Sequence, residues 1–74
     1  MRHKRFAAAA LLLYVILGSW KGYLAVFEGA AKEPKQIYPL KIEALPVEDQ
    51  QALAEGIQIR NPNRLRELLE HYLS

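Results

Sequence analysis

Few side chains in this sequence are suited to catalysis. Serine occurs only at Ser19, inside an apolar run, and at Ser74, and the chain has no threonine and no cysteine. Covalent catalysis needs a hydroxyl or thiol that a neighbouring base can activate. The sequence therefore predicts no nucleophilic enzyme, and the lack of cysteine also excludes a disulfide framework and a cysteine-bound zinc ion.

The histidines and acidic pairs do not form a recognisable site either. His3 lies in a basic N-terminal cluster and His71 in the last predicted helix, on opposite sides of the membrane that is inferred below. His71 follows Glu67 by four residues, and a cation near a helix C-terminus explains that spacing. Glu48 and Asp49 are neighbours in a first turn, where the helix dipole stabilises acids. We therefore expect no enzymatic activity, no metal and no cofactor.

Charge is divided unevenly along the 74 residues. Four basic residues and no acidic one precede residue 28, whereas residues 28–74 carry six basic and eight acidic residues, so +4 and −2 give the net +2. A phosphate backbone requires clustered Lys and Arg, so nucleic acid is not an expected partner. The four glycines are scattered and form no phosphate loop, and we expect no small-molecule substrate.

The first predicted structural element is the N-terminal apolar segment, residues 6–27, which contains only one charged residue, Lys21. As a helix this segment would be about 33 Å long, enough to span a bilayer core of about 30 Å. Residues 1–5 form a basic cluster, which the positive-inside bias places in the cytoplasm with the rest of the chain outside. The predicted anchor residues are Phe6, Leu11, Leu12, Leu13, Val15, Ile16, Leu17, Trp20 and Tyr23.

A cleaved signal peptide is the competing interpretation of the same segment. It has a basic start, an apolar stretch from Phe6 to Leu17, and small residues at Gly29-Ala30-Ala31 that would serve as a cleavage site. The expected localisation is therefore the cell membrane, as a single-pass protein with its C-terminal tail outside, or the exterior after cleavage.

The outward tail shows four short elements after a linker at residues 28–36. The patterns predict strands at 37–42 and 57–60 and helices at 46–55 and 62–73. Pro46 and Asn61-Pro62 are typical helix starts, and Gly56 is a typical helix end. The predicted fold is α+β, a single transmembrane helix followed by a small strand-helix-strand-helix domain over residues 37–74.

Eight apolar residues of the tail are predicted to face either the core or a protein partner. A sheet of two short strands has open edges, and strand addition by a partner is a common way to complete such a sheet. The eight residues are Tyr38, Leu40, Ile57, Ile59, Leu65, Leu68, Leu69 and Tyr72.

Two stretches of the tail carry a family resemblance. Leu53-Ala54-Glu55-Gly56-Ile57 ends a helix and begins a strand, and Glu67-Leu68-Leu69-Glu70-His71-Tyr72 lies in the closing helix. From about Tyr38 to Ser74 the chain resembles the C-terminal domain of the bypass-of-forespore C (BofC) family. The resemblance implies an exported regulator of sporulation that restrains a signalling serine protease, and it implies no catalytic residues. The family's N-terminal domain has no counterpart in this sequence, which has an apolar segment in its place.

The expected function is thus a non-enzymatic, membrane-anchored regulatory module that binds an extracytoplasmic protein. The alternative is a small single-pass assembly or structural subunit of a membrane complex, acting through its transmembrane helix. Replacing residues 6–27 by an unrelated single-pass helix separates the two hypotheses, because retained activity favours the tail.

Overall fold

The computed structural model describes residues 14–74, which form one sheet and two α-helices. The strands are β1 (Val15–Trp20), β2 (Tyr23–Glu28), β3 (Gln36–Lys41) and β4 (Ile57–Ile59). A 3₁₀ turn (Ile42–Ala44) follows β3, and the helices are α1 (Val47–Glu55) and α2 (Pro62–Leu73). The α+β class predicted from the sequence is confirmed.

The sheet is antiparallel throughout, in the order β3-β2-β1-β4. The two central strands, β1 and β2, form a hairpin in which Leu17 pairs with Val26. Strand β4 returns from the C-terminal part of the chain to pair with β1, placing Val15 opposite Ile59. The strands predicted from the tail are therefore not neighbours, because β3 and β4 lie at opposite edges with the hairpin between them.

A two-residue turn joins the central strands. Lys21 has φ 53° and Gly22 has φ 90°, so both turn residues have the positive φ of a type I′ turn. This turn type matches the twist of the flanking strands, and glycine adopts its second position without a steric penalty.

The prediction of a transmembrane helix over residues 6–27 is wrong for the part that the structure describes. Val15, Ile16, Leu17, Trp20 and Tyr23 lie in β1 and β2 and not in a helix. Phe6, Leu11, Leu12 and Leu13, together with the predicted cytoplasmic cluster at residues 1–5, lie outside the described residues. The physical reason is that a central strand with apolar side chains on both faces has the composition of a membrane helix.

Neither helix within residues 14–74 is sufficiently long and apolar to span a membrane. The alternative function as a single-pass subunit required the helix over residues 6–27, and no observation favours it.

Within the described residues, the folded unit consequently includes β1 and β2, which precede the predicted domain start at Ile37. The predicted linker, residues 28–36, runs from the end of β2 to the start of β3, and two contacts fix it to the sheet. The Lys35 amide donates to the carbonyl of Val26 at 2.7 Å, and the Lys35 ammonium group lies 3.1 Å from the carboxylate of Glu28.

The core lies on one face of the sheet, which we call the inner face. It receives side chains from the hairpin, from β4 and from both helices. The buried cluster consists of Leu17, Leu24, Val26, Leu53, Ile59 and Tyr72. Because half of these residues come from β1 and β2, the hairpin is the centre of the domain.

The helix boundaries predicted from local signals agree with the structure. Helix α1 follows Pro46, and it ends at Gly56, whose φ of 90° favours glycine. Asn61 caps α2, since its side-chain oxygen accepts a hydrogen bond of 2.8 Å from the Asn63 amide. Pro62 occupies the first turn, where its missing N–H leaves no hydrogen bond unmade.

Candidate interaction surfaces

The residues with catalytic potential are dispersed in the described structure. Ser19 is exposed on β1, and the Ser74 hydroxyl donates to the carbonyl of His71 at 3.3 Å on the exposed end of α2. In the segment from residue 14 to residue 74, no group of three or more His, Asp or Glu side chains could hold a metal ion. Among residues 14–74, the side chains with catalytic potential therefore lie apart from one another.

Tyr72 is a buried ionisable residue, and its environment favours the neutral form. Burial raises the pKa of Tyr72 above its ordinary value, the carboxylate of Asp49 acts in the same direction, and the Arg64 guanidinium acts in the opposite one. Tyr72 also belongs to the buried cluster. A neutral phenol in an apolar cluster is the environment of a core residue.

All eight tail residues predicted to face the core or a partner lie in or against the core. Ile59 and Tyr72 are buried members of the cluster. The other six are partly buried and pack against it: Tyr38, Leu40, Ile57, Leu65, Leu68 and Leu69. Their contacts position β3, β4 and α2 on the hairpin, and any partner must use the parts of these residues that stay accessible.

One accessible surface is a groove along α2. Leu65, Leu69 and Leu73 follow each other at intervals of four residues, so they lie in one row on the helix. The groove has a volume of about 480 Å³. Its lining residues are Pro62, Leu65, Arg66, Leu69, Glu70, Leu73 and Ser74. We call this surface the α2 groove.

A second groove continues the α2 groove toward the start of β1. The two share Pro62 and Leu65, and the second has a volume of about 460 Å³. It extends past Ile59 at the end of β4 to Tyr14, whose ring lies 5.4 Å from the guanidinium carbon of Arg60. An apolar path therefore runs from the sheet edge at β4 along the length of α2.

The two sheet edges differ in their capacity to accept another strand. On β3, Pro39 has no N–H to donate, and the register of the β2–β3 pairing shifts between Tyr23 and Ala25. On the other edge, β4 has only three residues. Short or proline-containing edges limit uncontrolled strand pairing, so an added strand would be short at either edge.

The sheet face opposite the core, which we call the outer face, carries five large apolar side chains. None of the five belongs to the core cluster or to the partly buried residues packed against it. Register and strand alternation assign Ile16, Trp20, Tyr23, Phe27 and Ile37 to this face.

The sequence patterns do not identify the outer face as a surface, and neither Phe27 nor Ile37 is among the residues predicted to anchor the chain or to face a partner. A usable signal was present, since Lys21-Gly22 between two apolar runs of six residues has the spacing of a two-residue hairpin. In the predicted membrane segment, residues 6–27, Lys21 is instead a single charge close to the C-terminal end.

These features define a class: a small α+β domain, in which a four-stranded antiparallel sheet packs its inner face against two helices and leaves apolar surfaces open. The family model of the BofC C-terminal domain matches residues 15–74, and the chain belongs to this family. The match confirms the resemblance drawn from the tail motifs, and it begins at Val15, the first residue of β1. No curated protein and no solved structure matches the chain.

Proposed function

We propose that this protein is a non-enzymatic regulatory module that binds a protein partner outside the cytoplasm during sporulation. Membership of the BofC C-terminal domain family supports the regulatory role and the connection with sporulation. The single observation that carries partner binding is the α2 groove. Its row of leucines stays partly open, although Leu65 and Leu69 also pack against the core.

The apolar residues of α2 serve two purposes, since some pack into the core and others line the α2 groove. Tyr72 and Leu68 are directed to the core, whereas Leu73 is 43% exposed at the far end of the groove. Charged residues flank the leucines, with Arg66 and Glu70 among the lining residues. An apolar row with a charged rim is the arrangement that receives an amphipathic helix or an extended segment of another protein.

Attachment to the membrane is part of the proposal and rests on the sequence. Three basic residues in positions 1–5 precede the apolar run Phe6–Leu13, which leads into β1. An apolar segment after a basic cluster favours binding to a bilayer. Cleavage after Ala31 is not favoured, because it would remove Leu17 and Leu24 and with them the two central strands.

The partner class is a signalling serine protease outside the cytoplasm, as the resemblance implies. The test is calorimetric titration of the full chain in detergent against the purified protease domain from the same genome, together with a peptidase assay. We expect saturable binding and a reduced rate of peptide cleavage.

A matched pair of variants localises the binding to the groove. Leu73→Asp places a charge on the α2 groove, and Val47→Asp places one on α1, where Val47 is 64% exposed. Placing a charge on an apolar contact that the partner covers commonly costs about 2 kcal/mol, so we expect roughly 30-fold weaker binding for Leu73→Asp and no change for Val47→Asp. Absence of binding by the unaltered chain would refute the proposed function. Equal effects of the two variants would show that the α2 groove is not the binding site.

A further inference from the structure

The outer face has two small buried residues, Gly18 and Ala25, between its large apolar side chains, of which Tyr23 and Ile37 are the most exposed. Ala25 has only a methyl side chain and is 0% exposed, and Gly18 is its partner in the β1–β2 pairing. A Cβ atom added to Gly18 would lie 3.3 Å from the backbone oxygen of Leu53 in α1 and 3.7 Å from a ring carbon of Phe27, so α1 reaches the border of this face at Gly18. Phe27 therefore leans over the small residues, and its ring meets that of Trp20 edge-on with 6.2 Å between the ring centroids.

Lysine side chains lie at the hairpin end of this face. The Lys21 Nζ atom is 5.5 Å from the centre of the Trp20 ring. Lys41 is the register partner of Tyr23, so these two side chains lie beside each other. Glu43 lines the same recess as Lys21 and Lys41, which leaves an excess of positive charge there. Among the described residues, neither lysine forms an ion pair within 4 Å.

We propose that the outer face lies on the surface of an anionic lipid bilayer, with its aromatic side chains at the level of the headgroups and with Lys21 and Lys41 against lipid phosphates. This proposal goes beyond the proposed function, which attaches the chain through residues before β1 and binds the partner through the α2 groove. The two contacts use different surfaces, so a docked domain would keep the α2 groove available.

The chemistry of the face favours a bilayer over a protein as its occupant. Trp and Tyr have an apolar body and a polar tip, which suits them to the boundary between acyl chains and water. Lysines extend a charged group from an apolar stem and are attracted to anionic lipids. The core of a protein interface is instead depleted of lysine. In the sequence, the apolar run Phe6–Leu13, which we propose to attach to the membrane, directly precedes Tyr14 and β1.

The chain contains one tryptophan, and it lies on the outer face, so fluorescence reports this contact directly. The experiment adds vesicles of phosphatidylglycerol and phosphatidylcholine, or of phosphatidylcholine alone, to the full chain and records Trp20 emission. Acyl chains brominated near the headgroup serve as the quencher. We expect a blue shift and quenching with the anionic vesicles, and much weaker changes with phosphatidylcholine.

Attachment through the N-terminal segment alone gives a different result. Trp20 is at the far end of β1, about 17 Å from Val15 at about 3.3 Å per residue. If the chain sediments with vesicles while Trp20 emission is neither shifted nor quenched, the outer face does not contact lipid and this inference is wrong. The proposed function would survive that outcome, because protease binding is measured without vesicles.

Matched variants test the charge and apolar contributions separately. Attraction to an anionic surface is worth about 1 kcal/mol per lysine, so neutralising Lys21 and Lys41 together with glutamine should weaken vesicle binding about 30-fold. Arg66→Gln is the control and should leave vesicle binding unchanged, because Arg66 lies on α2 and not on the outer face. Ile37→Ser, at a residue that is 45% exposed on the outer face, should weaken binding roughly tenfold, whereas Val47→Ser should not.

Two other occupants would show distinct behaviour. A second copy of the chain would produce a blue shift that grows with protein concentration in the absence of lipid. A protein partner on this face would make Lys21→Gln and Ile37→Ser reduce protease binding while vesicle binding is unchanged. Either result, or an equal effect of Ile37→Ser and Val47→Ser on vesicle binding, would overturn the assignment to lipid.

Discussion

The turn at Lys21 and Gly22 shows how much one residue contributes to the sheet. Both residues have positive φ, and nothing lies within 4 Å of where a Cβ atom on Gly22 would be. Space is therefore available at Gly22, but the left-handed backbone is unfavourable for a residue with a Cβ. Lys21, with φ 53°, already has this unfavourable backbone conformation.

Two substitutions in the turn should consequently have opposite effects. Gly22→Ala should lower the free energy of unfolding by about 1 kcal/mol, because alanine is strained at positive φ. Lys21→Asn should raise it by a few tenths of a kcal/mol, since Asn-Gly is the preferred pair in a type I′ turn. Urea denaturation followed by circular dichroism measures both changes. A neutral Gly22→Ala would contradict the positive φ at that position.

The helices and edge strands are short elements, and each depends on a particular local contact. In α2, the side chain of Asn61 holds an amide of the first turn at 2.8 Å. The row of leucines that lines the groove begins at Leu65, directly after the first turn of the same helix. The cap therefore positions the surface that we assign to the partner.

Removal of this cap should destabilise α2. We expect Asn61→Ala to lower the free energy of unfolding by about 1 kcal/mol, because an amide of the first turn loses its acceptor. Asn63→Ala is the matched control, since Asn63 takes part in the cap through its backbone amide and not through its side chain. Thermal denaturation of the two variants should separate them clearly, and equal midpoints would argue against capping by Asn61.

The elements that the sequence predicts well are those with local signals. Asn61-Pro62 marks the start of α2, and Gly56 marks the end of α1, so both helices were placed nearly to the residue. The hairpin has no such local signal. Leu17 and Leu24 face the core, and Ile16 and Phe27 lie on the other face of the sheet. The sequence is therefore an apolar run without alternation, which fits a buried strand and a helix equally well. The outer face depends on cross-strand register, which local patterns do not specify.

The whole molecule is organised around the hairpin and not around the tail. Strands β3 and β4 pair only with β2 and β1, respectively, and have no contact in the sheet without them. Leu17, Leu24 and Val26 also supply half of the buried cluster. The elements from β3 onward therefore lack a surface on which to pack when the hairpin is absent.

A fragment of residues 36–74 should accordingly fail to fold, whereas residues 14–74 should fold. Deleting the hairpin removes both neighbours of the edge strands and three buried side chains, each worth roughly 2 kcal/mol. Calorimetry should detect a cooperative thermal transition for the longer fragment and none for the shorter one. A cooperative transition in residues 36–74 would show that the tail is autonomous, against the topology described here.

The pairing of Val15 with Ile59 also has a consequence for biosynthesis. The hairpin involves only neighbouring residues and can form within microseconds, but β1 gains its second neighbour only after the ribosome has released the residues of β4. Until then, the β1–β2 hairpin has left the ribosome with both of its apolar faces uncovered. Translation speed and chaperone access during this interval should therefore influence the yield of folded protein more than mutations that act after the sheet is complete.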